Sequence, residues 1–223
     1  MLQLDGCPQG LIWKYDHTEL ITDSIVHAAG LGFALVGATA LLLSCPLAPN
    51  LRTASIVIYA VGLVAMLGFS AAYNLWPVSP RKWWLRRFDH SAIFIFIAAT
   101  YGPLIAQLNF DSVWVVAALC VALKLFLPGR FDRVSIGLCF LLGCSGVFVY
   151  DSAVAALPSS TLWLIVIGAG LYTTGVVFHL WETLRFQNFI WHTFVLLRRF
   201  ATIRRYSSAW RERAGQSIGF SPG

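Results

Sequence analysis

Two pairs of polar side chains set four residues apart, Ser70 with Asn74 and Asn188 with His192, carry the first hint of chemistry in this chain. A spacing of four places both members of a pair on one face of a helix. The run Asp89–His90–Ser91 adds an acid, an imidazole and a hydroxyl. Such groups gathered around one space can ligate a metal or move a proton. Their surroundings are unusual for that work. "RRFDHSAIFIFIAATYGP", Arg86 to Pro103, passes from charge into an apolar run within a few residues.

The elements that position these groups follow from composition. Hydrophobic residues make up 58% of the 223, charged residues 12%, and mean hydropathy is +0.71. Soluble domains carry about 25% charged residues, so lipid is the expected solvent. A helix needs about 20 apolar residues to span the hydrocarbon core. Runs at about 21–43, 53–75, 90–108, 112–128, 134–150 and 161–181 fit that length. The short alternating segments of a membrane β-barrel are absent. The expected fold is all-α, a polytopic helix bundle at 21–197 between an N-terminal segment (1–20) and a basic tail (198–223).

The first twenty residues lack the basic start and apolar run of a cleavable signal peptide. Cysteines number five with no CxxC spacing, which suits small core side chains rather than a thiolate site. Net charge is +6, yet the basic residues lie between spans, so nucleic acid is not the expected partner; membrane lipid is. Numbering sides from the N-terminus, side one receives Lys14, Arg81, Lys82, Arg86, Arg87, Lys124, Arg130, Arg133 and Arg185, whereas side two receives Arg52. Positively charged loops stay in the cytoplasm. The N-terminus is therefore expected inside, in a cytoplasmic (inner) membrane. All five histidines (His17, His27, His90, His179, His192) fall at that same end, marking a shared polar pocket. As the first residue before the third span, Asp89 is also expected to cap a helix.

The segments "ELITDSIVHAAG", "FSAAYN", "FDHSAIFIFIAATYGP" and "WETLRFQNFIWHTFVL" together resemble the hemolysin III branch of the progestin and adipoQ receptor family, from about Glu19 to Leu197. The family's signatures read "LDHSAI…AGTYTP" and "WE…F…IWH.FVL". The resemblance implies a seven-helix bundle with its N-terminus inside and a zinc ion near the cytoplasmic face. It further implies one histidine ligand closing the second helix, two more four apart on the seventh, and a supporting serine and aspartate. Zinc held this way activates water toward a carbonyl such as a lipid amide.

Carried over by position, the aspartate is Asp89, the serine Ser70 and the last histidine His192. The other two ligand positions hold Asn74 and Asn188, and a neutral amide oxygen is a poor zinc donor. His179, in "VVFHLWE", is the candidate replacement, with His192 and Asp89. The seventh helix is also expected to be short or defective, because its apolar run, Phe189 to Leu197, meets "RRFATIRRYSSAWRERAG". That ending reads either as a basic helix lying on anionic lipid or as a shifted reading frame. Three functions follow. The first is a noncatalytic or weakly active family member with a degenerate zinc site. The second is a zinc-dependent membrane hydrolase of a lipid amide, using Asp89, Ser70 and His192. The third is a pore-forming cytolysin, suggested by the family's name alone.

Overall fold

The computed structural model describes residues 16–44, 50–105, 111–126, 132–144, 154, 159–181 and 183–199, and contains helices and turns but no strand among them. In chain order the helices are α1 (His17–Leu43), α2 (Leu51–Leu75), α3 (Pro80–Ile105), α4 (Asp111–Phe126), α5 (Asp132–Cys144) and α6 (Ser159–Leu180), then α7 (187–199). Among the described residues, three segments are long and apolar enough to cross a membrane: His17–Leu43, Thr53–Leu75 and Leu162–Leu180. The molecule is an all-α bundle of the multi-pass membrane kind.

Local chemistry fixes the helix ends. Glu19 reaches back so that its Oε2 accepts from Asp16 N at 3.0 Å, occupying a donor that no helical carbonyl serves. Asn50 does the same for α2, its Oδ1 accepting from Thr53 N at 2.9 Å. At the far end of α2, Lys82 Nζ donates to the carbonyls of Asn74 (3.1 Å) and Trp76 (2.7 Å). A cation over the last carbonyls of a helix satisfies them and complements the dipole. Pro77 turns the chain, and Pro80 opens α3 at the position where a missing N–H costs nothing. Asp89 therefore lies well inside α3, not at its start, so the expected capping role is corrected: the basic segment before the third span is itself helical.

Short connections make α1 to α4 sequential neighbours, with α2 packed on both α1 and α3 and α4 on α3. One apolar core joins Ala34, Leu41, Tyr59, Leu63, Met66 and Phe96. A second joins Phe94, Ile97 and Ala98 of α3 to Val113, Ala117 and Cys120 of α4 and Cys139 of α5. Cys120 and Cys139 are free thiols inside it, as expected of small core side chains. Leu43, Val36, Leu119, Trp163 and Val166 point outward, as lipid-facing residues do.

The last helix packs closely. A methyl added at Gly175 of α6 would meet Phe194 Cβ at 2.9 Å, and one at Gly30 of α1 would sit 3.7 Å from Leu196. Arg198 and Arg199, assigned to a separate tail by the sequence, belong to this helix. The Arg198 guanidinium lies 4.5 Å over Tyr172. Arg199 is buried, 4.1 Å over Phe96 and 3.3 Å from Met66 Sδ. Ring faces and a thioether accommodate these charges inside the bundle. Residues 200–223 of the expected tail lie outside the described residues.

Candidate metal centre

Polar groups from α1, α2, α3 and α7 meet around one space in the bundle. On α1, Asp23 and His27 are one turn apart, both 5% exposed. Asp23 Oδ2 lies 3.5 Å from His27 Nε2. From α7, His192 brings Nδ1 to 2.7 Å from Asp23 Oδ1, and the His27 and His192 rings are 4.3 Å between centroids. One donor atom from each of the three residues falls within 4.8 Å of the others, the arrangement a shared metal ion requires. His27 Nε2 is buried and makes no hydrogen bond. Two imidazole nitrogens and a carboxylate oxygen form a donor set that suits zinc.

The two helices are held together from outside the site. Glu19 Oε1 accepts from Phe186 N at 2.9 Å while Oε2 serves Asp16, so one carboxylate ties the start of α1 to the turn before α7. Phe186 has φ 60°, a left-handed conformation that a bulky residue rarely adopts. Its N–H is fixed by Glu19, and its carbonyl accepts from Ile190 N at 3.0 Å, beginning α7. Arg185 adds a 3.4 Å ion pair to Asp16. The tie joins the helix that carries Asp23 to the turn that opens the helix carrying His192.

A cavity of about 50 Å³ opens beside the cluster, lined among others by His27, His192, Ser70, Asp89 and Arg199. Asp89 and Ser70 are both buried and line this cavity together. Of the residues singled out from the sequence, the fold thus brings His192, Asp89 and Ser70 to one space.

Asn74, Asn188 and His179 do not line that cavity. The Asn74 amide donates to Ser70 O at 2.9 Å, so its nitrogen is engaged in its own helix. Asn188 sits half-buried in the first turn of α7. The His179 ring lies 4.8 Å from Trp191, and its carbonyl accepts from the Gln187 side chain. Asp23 and Glu19 were not singled out. An acid and an imidazole four apart within an apolar run was the available signal for Asp23; nothing local announced that Glu19 would reach a turn 167 positions away.

The family model described as "Haemolysin-III related" matches residues 15–203, a span that contains every residue of the cluster. The chain is 30% identical over 190 residues to the hemolysin-3 homolog of Bacillus subtilis (strain 168), covering 80% of this chain and 88% of the relative. It is 29% identical over 190 residues to hemolysin-3 of Bacillus cereus, covering 80% and 85%. No solved structure matches. A bundle of apolar helices with a buried acid–histidine cluster at one pole, matched along nearly its whole described length, belongs to the haemolysin-III related family.

Proposed function

We propose that this protein is a zinc-binding member of its family, of weak or no catalytic activity, that holds the ion on Asp23, His27 and His192 instead of the positions occupied by Asn74 and Asn188. The observation that carries this reading is the grouping of three buried donor atoms within 4.8 Å. Asp23 and His192 already share a proton at 2.7 Å, and a divalent cation can take that proton's place between the same lone pairs. Zinc bound there supplies Lewis acidity toward a carbonyl. Asp89, buried with Ser70 on the adjoining cavity, is the proton acceptor of this reading. The cavity's size argues for slow chemistry. At ~10–15 Å³ of such volume per water, about 50 Å³ holds a few waters and not a lipid amide with its chains.

A second reading, a hydrolase of lipid amides, is favoured by Asp89 and Ser70 lining the same space as the histidines. Metal analysis of the purified protein and release of fatty acid from a lipid amide test both readings. About one zinc per chain is expected, lost in His27→Ala and His192→Ala. Fatty-acid release is expected to stay at background; release that disappears in Asp89→Asn would establish the hydrolase instead. A wild-type protein that stays metal-free after equilibration with zinc would refute both. The relatives' name, hemolysin, gives a third reading: leakage of liposomes that persists in chelator would support a pore.

A further inference from the structure

The two helices that carry the candidate metal ligands are anchored differently. Asp23 and His27 belong to α1, whose Ala34 and Leu41 share a core with Tyr59 and Leu63 of α2. His192 belongs to α7. At the far end of α7, Arg199 is buried, 4.1 Å over Phe96 and 3.3 Å from Met66 Sδ. At its near end the chain leaves α6 after Leu180 and enters α7 at 187. The Gln187 side chain donates to the His179 carbonyl and ties this turn to α6. Phe186 N donates to Glu19 Oε1 at 2.9 Å, and Arg185 pairs with Asp16 at 3.4 Å, which ties the turn to α1.

Of these two ties, the one to α1 is the weaker. The Arg185 and Asp16 side chains are 67% and 56% exposed, and an ion pair so open to solvent contributes little. Phe186 holds φ 60° while it makes its bond to Glu19, a conformation that a residue with a Cβ leaves when nothing holds it. The α6 side is interlocked instead. The Phe178 and Phe194 rings stack at 5.7 Å, the His179 and Trp191 rings lie 4.8 Å apart, and a methyl at Gly175 would strike Phe194. Release from Glu19 and Asp16 therefore frees the start of α7 from α1 but not from α6. Six residues separate Phe186 from His192 and seven separate His192 from Arg199, so His192 stands roughly 9 Å and 10 Å along the axis from the two ends. Movement at the Phe186 end displaces His192, while Asp23 and His27 stay on α1.

We propose that the turn at 181–187 is a strap that gates the metal centre. Its release from Glu19 and Asp16 lets the start of α7 swing away from α1 about the Arg199 anchor. The swing carries His192 off Asp23 and His27, whose donors are otherwise buried, and opens the site to the ion; docking of the strap returns the third ligand and closes it. Glu19 is then a positioning residue that acts on the ion through Phe186 and α7. The gating rests on the zinc-binding reading above, whereas the movement of the strap does not.

Two measurements on the full-length protein test the strap and the gate separately. Hydrogen exchange, read without metal, follows the strap. In Glu19→Ala the amides of 184–190 should exchange about fivefold faster than in the wild type, with those of 195–199 unchanged. Stopped-flow uptake of zinc, and its release to a chelator, follow the gate. Glu19→Ala should quicken both, release about tenfold and uptake about threefold. Phe186→Gly keeps the N–H and removes the strain, so it should slow both. A damaged ligand set would speed release without speeding uptake. Exchange at 184–190 that is unchanged in Glu19→Ala would overturn the strap. Uptake that is unchanged in both variants of a protein that binds zinc would overturn the gate. Absence of bound zinc at equilibrium would refute the zinc-binding reading and the gate with it, while exchange would still decide the strap.

Discussion

Asp23 is the residue on which the site turns. It approaches both histidines, at 2.7 Å and 3.5 Å, and its charge is what distinguishes a metal ligand set from a pair of neighbouring imidazoles. Asp23→Asn keeps the volume and one hydrogen bond while removing the anionic oxygen. Zinc affinity, measured by competition with a chromophoric chelator, should fall about 100-fold or more, since losing a ligand costs more than the ~10–100-fold of losing a supporting contact. His192 was named as a ligand position by the resemblance of "WETLRFQNFIWHTFVL" to the family's signature. Asn188, one turn earlier, is half-buried in the first turn of α7, and the His179 ring lies 4.8 Å from Trp191. Of the three donors grouped in the fold, the resemblance named His192 alone.

Among the elements, α1 and α7 decide the geometry, and the Glu19 tie decides how they meet. Replacing Glu19 by alanine removes the acceptor for both Asp16 N and Phe186 N and leaves Phe186 in its strained conformation without the bond that holds it. A loss of about 1–2 kcal/mol in unfolding free energy is expected, together with weaker zinc binding. Glu19→Gln, which keeps one acceptor oxygen, should recover part of both. Zinc affinity that is unchanged in Glu19→Ala would separate the tie from the site. The helices themselves were readable from apolar runs, and their limits were not. The third helix begins at Pro80, ten residues before its apolar run, and from its first turn Lys82 satisfies the carbonyls that end α2. The same holds for Arg198 and Arg199, which read as tail and pack as bundle.

For the whole molecule, the proposed zinc, joining the first and last described helices, would link binding to stability. Zinc bound to the folded state alone raises the unfolding midpoint by mass action. Removing it with a chelator should lower the midpoint of the wild type by several degrees, and should leave His192→Ala unmoved. A midpoint that responds equally in both proteins would place the effect elsewhere.

The sequence by itself determined that this chain is a bundle of apolar helices, because hydropathy and length are properties of each segment alone and lipid leaves a helix few alternatives. It also determined the family and the pole at which polar groups collect, since alternation of apolar runs sends the histidines to one end. Only the tertiary structure decided which of them face each other. That choice depends on the rotation of each helix about its own axis, set by packing at contacts such as Gly175 with Phe194 and by the carboxylate of Glu19 across 167 positions. A helix's rotation is fixed by its neighbours and not by its own composition, so Asp23 and His192 met in the fold without having been paired in the sequence.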